Sequence, residues 1–231
     1  MNNFVNTLQA IHARIEHAKV KVARNDTISL CAVSKSQNAN KLRAAYEAGQ
    51  TIFGENYLQE AIAKQTLLQD CNIEWHFIGP IQSNKTQQIA QHFDWVQSVD
   101  RLKIAQRLSA ARPAHLAPLN ICLQINSSGE TTKSGTQTSE IINLALAVIN
   151  LPNIRLRGIM AIPAPSTDRD IQYAQFRAVN EAYIELKKHV PQIDTLSIGM
   201  SDDFEVAIEV GATLVRIGSA IFGARVKKDH I

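Results

Sequence analysis

Cysteine is scarce in this chain of 231 residues, and its three cysteines share no spacing that is typical of a linked site. Cys31, Cys71 and Cys122 lie far apart, in or beside apolar segments. Disulfide frameworks and zinc sites need an even number of cysteines or short repeated spacings, so we expect neither. The pattern instead indicates a protein that works in a reducing compartment.

The chain also lacks an excess of one charge and a long apolar run at its start. It has 24 basic and 21 acidic residues, a formal net charge of +3, and its basic residues are scattered. Nucleic-acid-binding proteins concentrate basic residues on one face, so no nucleic-acid partner is expected. Without a continuous apolar N-terminal segment, we expect no signal peptide, no membrane span and a cytoplasmic location.

The chain does contain a regular alternation of short apolar runs and amphipathic stretches. Residues 2–24 repeat apolar side chains every three or four positions, which predicts an amphipathic helix before the first strand. Eight predicted strands follow, each succeeded by a helix or helical turn, as in parallel α/β sheets. Eight such units in roughly 200–250 residues favour a (β/α)8 TIM barrel, with 1–231 as a single domain. An open doubly wound sheet is the alternative.

The first predicted strand runs from Thr27 to Lys35 and is apolar until the lysine that closes it. A lysine at the end of a buried strand is costly to desolvate unless it is paired, neutralised or chemically used. Lys35 could simply extend to water along its aliphatic stem. Alternatively, it is an amine of lowered pKa that forms a Schiff base with a carbonyl compound.

Polar residues concentrate at or just beyond the ends of the predicted strands. In an eightfold barrel these ends converge on one face, where the active site lies. The helix-to-strand turns at the other face are plainer in composition. These polar residues, together with Met160 and Gly218 at the same strand ends, predict a functional site at the mouth of the barrel. The full set is Lys35, Asn56, His76, Ser83, Asn84, Asn126, Met160, Ser201, Arg216, Gly218 and Ser219.

The last two strand–helix units resemble a phosphate cradle. Ser201 is placed to cap a helix, and Gly218 lets the backbone ahead of Ser219 approach a ligand closely. Loops after strands seven and eight are the usual phosphate site of this barrel. A helix cap without a ligand and a plain tight turn are the alternatives for Ser201 and Gly218.

Arg216 lies between two apolar residues of the last predicted strand and is expected to point into the barrel mouth. Against a pyridine nitrogen, an arginine keeps that nitrogen unprotonated and weakens the electron sink of a pyridoxal cofactor. The alternative is a salt bridge at the barrel end to Glu55 or Asp100.

The other polar residues allow structural interpretations. His76 is better explained as a hydrogen-bonded core histidine than as a site residue. Asn56 either polarises a ligand or caps the next helix. Asp202 and Asp203 are adjacent acids, but no third ligand accompanies them at useful spacing, so no metal site is predicted.

Six segments, taken in order, resemble one known family. They are Ala32–Lys35, Phe53–Tyr57, Trp75–Lys85, Arg157–Ile162, Leu196–Asp203 and Val215–Gly223. With these motifs, the chain closely resembles the pyridoxal phosphate homeostasis proteins over essentially its whole length.

The resemblance implies a barrel like the N-terminal domain of alanine racemase, without that enzyme's second domain. It also implies pyridoxal 5′-phosphate bound to Lys35 as a Schiff base, and no established catalytic activity. The remaining cofactor-binding residues implied by matching motifs are Asn56, Met160, Ser201, Arg216, Gly218 and Ser219. Many relatives carry a second lysine two positions after the Schiff-base lysine, where this chain has Gln37.

Three functions remain open at this point. The chain could store or deliver pyridoxal phosphate in vitamin B6 homeostasis, with dependent apoenzymes as recipients and no efficient catalysis. It could be an amino-acid racemase on the same barrel, with Tyr57 as the only serious candidate for a second acid–base group. It could be a class I aldolase that uses a barrel lysine. We expect a monomer, since no large apolar helix face is left over.

Overall fold

The computed structural model describes residues 4–127 and 135–223, in which strands and helices alternate along the chain. The strands are β1 (Ser29–Val33), β2 (Ile52–Glu55), β3 (Glu74–Phe77), β4 (Trp95–Val99), β5 (Leu119–Ile125), β6 (Ile154–Ala161), β7 (Thr195–Ser197) and β8 (Leu214–Ile217). The helices are α1 (Phe4–Lys21), α2 (Ala39–Glu47), α3 (Leu58–Leu67), α4 (Thr86–His92), α5 (Leu102–Ala111), α6 (Ile141–Val148), α7 (Arg169–His189), α8 (Phe204–Val210) and α9 (Ser219–Phe222).

The eight strands form a closed, all-parallel barrel in the order β1 to β8. Closure is made by β1 and β8, which pair in parallel from Ser29 opposite Leu214 to Ala32 opposite Ile217. This confirms the predicted (β/α)8 barrel, and the open doubly wound sheet is excluded because it would leave two free edges. The carboxyl ends of all eight strands therefore surround one mouth.

The strands are buried on both faces, which explains their continuous apolar runs. Every residue of β4, β7 and β8 is buried, with the helices covering the outer face and side chains filling the barrel. Part of this inner filling is apolar: Trp95, Cys122 and Met160 pack together inside the barrel. Part is polar, and it includes the fully buried His76 and Gln97.

The amphipathic helix predicted before the first strand is α1, which packs against α8 and α9 near the end of the chain. Its Phe4 ring lies edge-on to the Phe222 ring, with centroids 5.9 Å apart. Arg14 forms an ion pair with Glu205 of α8 at 3.0 Å. The helix ends at Lys21 rather than at residue 24, because Ala23 takes a left-handed backbone conformation with φ of 54°. None of the helices in the described ranges combines the length and apolarity needed to cross a membrane.

Candidate cofactor-binding site

A cavity of about 240 Å³ opens at the carboxyl-end mouth of the barrel. This volume lies just below the roughly 300–1,000 Å³ of sites for drug-sized ligands, which suits a smaller ligand. Its lining residues are Val33, Lys35, Gln37, Asn56, Ile78, Ile162, Met200, Ser201, Asp202, Arg216, Gly218, Ser219 and Gly223. They follow strands on opposite sides of the barrel, so only closure of the sheet brings them together.

Of the seven residues implied as cofactor-binding, the structure brings six to this cavity. Met160 is the exception, because its side chain is fully buried against Trp95 and Cys122 inside the barrel. Ile162, two residues further along the chain and so on the same face, lines the cavity instead. The matching motif therefore implied Met160 as a cofactor-binding residue but could not show that it lies one layer below the mouth.

Lys35 lies half-buried on a turn just beyond β1, because that strand ends at Val33 and not at the lysine. The turn is closed by a hydrogen bond of 3.0 Å from the Gln37 amide to the Ser34 carbonyl. Ser36, between them, takes a left-handed conformation with φ of 63°. The Lys35 side chain is thus held on a defined turn at the cavity wall.

A buried cluster of charges behind this turn was not anticipated from the sequence. The Lys64 ammonium donates to the Ser34 carbonyl at 2.7 Å and to Glu55 Oε1 at 2.6 Å. It also contacts Glu60 at 2.5 Å, and that carboxylate accepts the Ser36 amide at 2.6 Å. Lys64 and its two carboxylates therefore clamp the residues on both sides of Lys35.

Glu55 is the most deeply buried member of this cluster, with no exposed surface. Burial raises the pKa of its carboxyl group, although the Lys64 ammonium and the Ser34 hydroxyl oppose the shift. The Ser34 hydroxyl donates to Glu55 Oε1 at 2.6 Å, whereas Oε2 has no hydrogen-bond partner among the described residues. Alternating strand positions could have placed Glu55 on the outer face of β2 with Phe53, but the packing of Lys64 against it depends on α3.

Arg216 points into the mouth, as predicted, and its guanidinium is almost fully buried. It donates to the Ser197 carbonyl at 2.7 Å, to the Ser197 hydroxyl at 2.6 Å and to the Ala161 carbonyl at 2.9 Å. Burial lowers the pKa of Arg216. The alternative interpretation, in which Arg216 forms a salt bridge with Glu55 or Asp100, is wrong. Glu55 pairs with Lys64, and Asp100 pairs with its neighbour Arg101.

Ser201 joins the two loops that were predicted to hold a phosphate. It does not cap α8, which begins at Phe204 without a side-chain cap. Its hydroxyl oxygen instead accepts the amides of Gly218 and Ala220, at 3.3 Å and 3.4 Å. The Ser201 hydroxyl and the start of α9 are therefore neighbours at one wall of the cavity.

Asn56 lies at the mouth with its side-chain oxygen buried and without a hydrogen-bond partner among the described residues. It does not cap the next helix, because α3 is preceded by Tyr57, which makes no side-chain cap either. A buried amide oxygen without a hydrogen-bond partner lowers the stability of the folded state. Its position in the lining favours the interpretation in which Asn56 contacts a ligand.

Tyr57 lies outside the main cavity. Its side chain is 55% exposed and lines a neighbouring cavity that shares only Asn56 with the first. Tyr46, Tyr173 and Tyr183 are on the outer helices α2 and α7, as predicted. Among the residues that the structure describes, no tyrosine, histidine or cysteine lines the main cavity.

Comparison with known proteins identifies the family. The sequence profile described as "Alanine racemase, N-terminal domain" matches residues 7–226. A "Pyridoxal phosphate homeostasis protein" from Pseudomonas aeruginosa is 54% identical over 226 residues, covering 97% of each chain. The chain belongs to the family of pyridoxal phosphate homeostasis proteins.

Solved structures agree with this family assignment. The structure of PipY from Synechococcus elongatus with PLP bound is 32% identical, with a TM-score of 0.84, covering 95% of this chain and 100% of that chain. An alanine racemase from Clostridium difficile is 15% identical, with a TM-score of 0.77, covering 100% of this chain and 59% of that chain. The racemase likeness shows the fold alone.

The buried ion pair behind Lys35 generates a stability prediction. Lys64→Met removes the ammonium and leaves Glu55 as an uncompensated buried carboxylate, so we expect a loss of about 3–5 kcal/mol in the free energy of unfolding at pH 7. The pKa of Glu55 is already raised by burial. Without Lys64 the folded state will bind a proton more tightly than the unfolded state, so stability will fall as the pH rises above the unfolded pKa of Glu, about 4.3.

Urea unfolding between pH 5 and pH 8 measures this effect. The control is the double variant Lys64→Met/Glu55→Gln, which has no carboxylate at position 55. We expect the double variant to be more stable than Lys64→Met at pH 7 and to lack the added pH dependence. Identical profiles for the two variants would contradict the assignment.

Proposed function

We propose that this protein binds pyridoxal 5′-phosphate in the mouth cavity, with Lys35 as the Schiff-base residue, and serves intracellular cofactor homeostasis rather than efficient catalysis. The observation that carries the proposal is one cavity that joins an amine, a hydroxyl-and-amide cradle and a buried guanidinium. These three groups match the three recognisable features of the cofactor, which are an aldehyde, a phosphate and a pyridine nitrogen. The family assignment and PLP bound to PipY support the same ligand.

Different residues of the cavity wall would recognise different parts of the cofactor. Lys35 would hold the aldehyde carbon as a Schiff base, with water as the leaving group. The Ser201 and Ser219 hydroxyls and the Ser219 amide would donate to the phosphate, and Gly218 lets the backbone approach it closely. Asn56 would offer the cofactor its buried side-chain oxygen, which has no hydrogen-bond partner among the described residues. Met160, one layer deeper, supports this cavity from below rather than lining it.

Arg216 sets the electronic character of the site. A guanidinium has only N–H donors, so opposite the ring nitrogen it requires that nitrogen to be an unprotonated acceptor. An unprotonated pyridine is a weaker electron sink than a protonated one. This arrangement favours holding the cofactor over using it to stabilise a carbanion.

The lining of the cavity also disfavours efficient racemisation. That reaction removes a proton on one face of the ligand and returns it on the other, so it needs two flanking acid–base groups. Lys35 serves one face, whereas Tyr57 lies at the neighbouring cavity. Cys31 and Cys122 are buried, and burial raises the pKa of both thiols to about 12. A regulator is therefore favoured over a racemase, and the family assignment, with PLP bound to PipY, disfavours a class I aldolase.

The biological setting follows from this role. The protein would act in the cytoplasm as a single-domain monomer and pass cofactor to PLP-dependent apoenzymes. Free cysteines and the family of its relatives support this setting. Gln37 lines the cavity where many relatives carry a lysine, so delivery would proceed without an amine at that position.

The first functional prediction concerns the Schiff base. Lys35→Ala will abolish the visible absorption band of the bound cofactor, and borohydride reduction will no longer attach it covalently. Lys85→Ala is the matched control, because Lys85 lines only the neighbouring cavity. Peptide mapping that placed the reduced cofactor on Lys85 alone would overturn the assignment.

The second prediction concerns the phosphate cradle. Ser201→Ala and Ser219→Ala will each weaken pyridoxal phosphate binding about ten- to a hundredfold, because a hydrogen bond to a charged group contributes about 1.5–3 kcal/mol. Equilibrium titration of apoprotein measures the effect. Pyridoxal without the phosphate should bind far more weakly to the wild type and should be less sensitive to these substitutions. Equal affinity for both forms would refute the cradle.

The third prediction concerns catalysis. Deuterium incorporation at the α-carbon of alanine, with chiral analysis of the product, will show turnover far below the ordinary enzymatic range of about 1–1,000 s⁻¹. Tyr57→Phe will not change the residual rate. Turnover of about 1 s⁻¹ or faster that disappeared in Tyr57→Phe would make this protein a racemase.

A further inference from the structure

A continuous chain of buried hydrogen bonds lies beneath Arg216 and crosses the inside of the barrel. Arg216 donates to the Ser197 hydroxyl at 2.6 Å, and that hydroxyl donates to Gln97 Oε1 at 2.6 Å. Gln97 Nε2 lies 2.7 Å from His76 Nδ1, and His76 Nε2 lies 2.8 Å from Glu74 Oε1. Four strands contribute to this relay, which runs from the ligand cavity to the opposite end of the barrel.

The direction of the hydrogen bonds in the relay follows from its two ends and from a neutral His76 ring. The Glu74 carboxylate can only accept, so a neutral ring gives its one proton, on Nε2, to Glu74 and leaves Nδ1 as an acceptor. Gln97 therefore presents its amide nitrogen to His76 and its carbonyl oxygen to Ser197. The Ser197 hydroxyl accepts from the Arg216 guanidinium, which can only donate, and gives its own proton to Gln97.

The surroundings of the relay make this order costly to disturb. Ser197, Gln97 and His76 have no exposed surface, so a reversed donor or acceptor would remain unsatisfied in the interior. The His76 ring also stacks on Trp95, with centroids 5.1 Å apart and planes inclined by 15°. Only Glu74, whose side chain is 44% exposed, reaches solvent at the far end.

We propose that Ser197, Gln97 and His76 are positioning residues that hold Arg216 for the ring nitrogen of the bound cofactor. The relay links the buried cation to the Glu74 carboxylate through neutral groups, so Arg216 needs no carboxylate partner inside the cavity. The hydrogen bonds to Ser197 and Ala161 use three of the five N–H groups of Arg216 and fix its plane. The cofactor part of this inference rests on the proposed function.

His76 is the member whose charge could interrupt the relay. The charged groups that act on it are Glu74 and Asp94, which favour its protonation, and Arg157, which opposes it. Burial is the largest influence and lowers the pKa of His76. A proton on Nδ1 would face the Gln97 amide nitrogen, donor against donor, so the relay requires a neutral ring.

The relay itself can be tested on the apoprotein. Nitrogen-15 NMR of wild-type histidines should show His76 as the neutral Nε2–H tautomer at pH 7. Gln97→Glu replaces the amide donor by an acceptor, so His76 should then carry a proton on Nδ1 and its pKa should rise. An Nδ1–H tautomer or an imidazolium in the wild type would overturn the proposed direction.

The positioning role is tested by comparing two ligands. Deaza-pyridoxal phosphate has a carbon in place of the ring nitrogen, so it cannot accept a hydrogen bond from Arg216. Ser197→Ala should weaken pyridoxal phosphate binding about tenfold and leave the affinity for the deaza analogue within twofold of wild type. Ser109→Ala is the control, because Ser109 is buried and donates to the Pro152 carbonyl outside the relay. It should leave both affinities unchanged.

The outcomes separate this inference from the proposed function. An equal loss of affinity for both ligands in Ser197→Ala would indicate general damage to the cavity and overturn the positioning role. Wild-type protein that fails to bind pyridoxal phosphate would overturn the proposed function and, with it, the cofactor part of this inference. The NMR result would still decide the relay.

Discussion

The site depends on one buried cation, the guanidinium of Arg216. An unpaired charge in a protein interior is costly, and the described residues place no carboxylate in contact with this one. Two backbone carbonyls and the Ser197 hydroxyl solvate it instead. Because these acceptors belong to β6 and β7, Arg216 of β8 can keep its position only while these three neighbouring strands are paired. The fold and the site are therefore stabilised by the same contacts.

A second buried cation, the Lys64 ammonium, is stabilised in a different way. Lys64 is paired directly with Glu55 and Glu60, so its charge is neutralised within the protein. Its ammonium also donates to the Ser34 carbonyl and so stabilises the turn that holds Lys35. Arg216 keeps its charge directed to the cavity. Lys64 and Arg216 therefore differ in their partners. A carboxylate lies within hydrogen-bond distance of Lys64, whereas among the described residues none lies within that distance of Arg216.

The sequence was sufficient where a single periodic pattern determines the structure. Alternating apolar runs predicted the eight strands, and the flanking apolar residues of Arg216 predicted its inward direction. It was insufficient where two distant elements meet. Ser201 was expected to cap its own helix, yet its hydroxyl binds amides of the next loop. Met160 was implied by its motif to bind the cofactor, yet it lies below the cavity, and no local signal connects Gln97 with His76 or Ser197.

The composition of the cavity wall underlies the proposal that this barrel binds its cofactor without efficient catalysis. Lys35 and Arg216 contribute positive charge and Asp202 alone contributes negative charge among the lining residues, so a phosphorylated ligand is electrostatically favoured. Proton transfer needs groups that titrate near neutral pH on both faces of the ligand. Apart from Lys35 and Asp202, the wall offers hydroxyls, amides and a permanently charged guanidinium. A barrel built this way can retain a reactive cofactor while leaving its carbanion chemistry to other proteins.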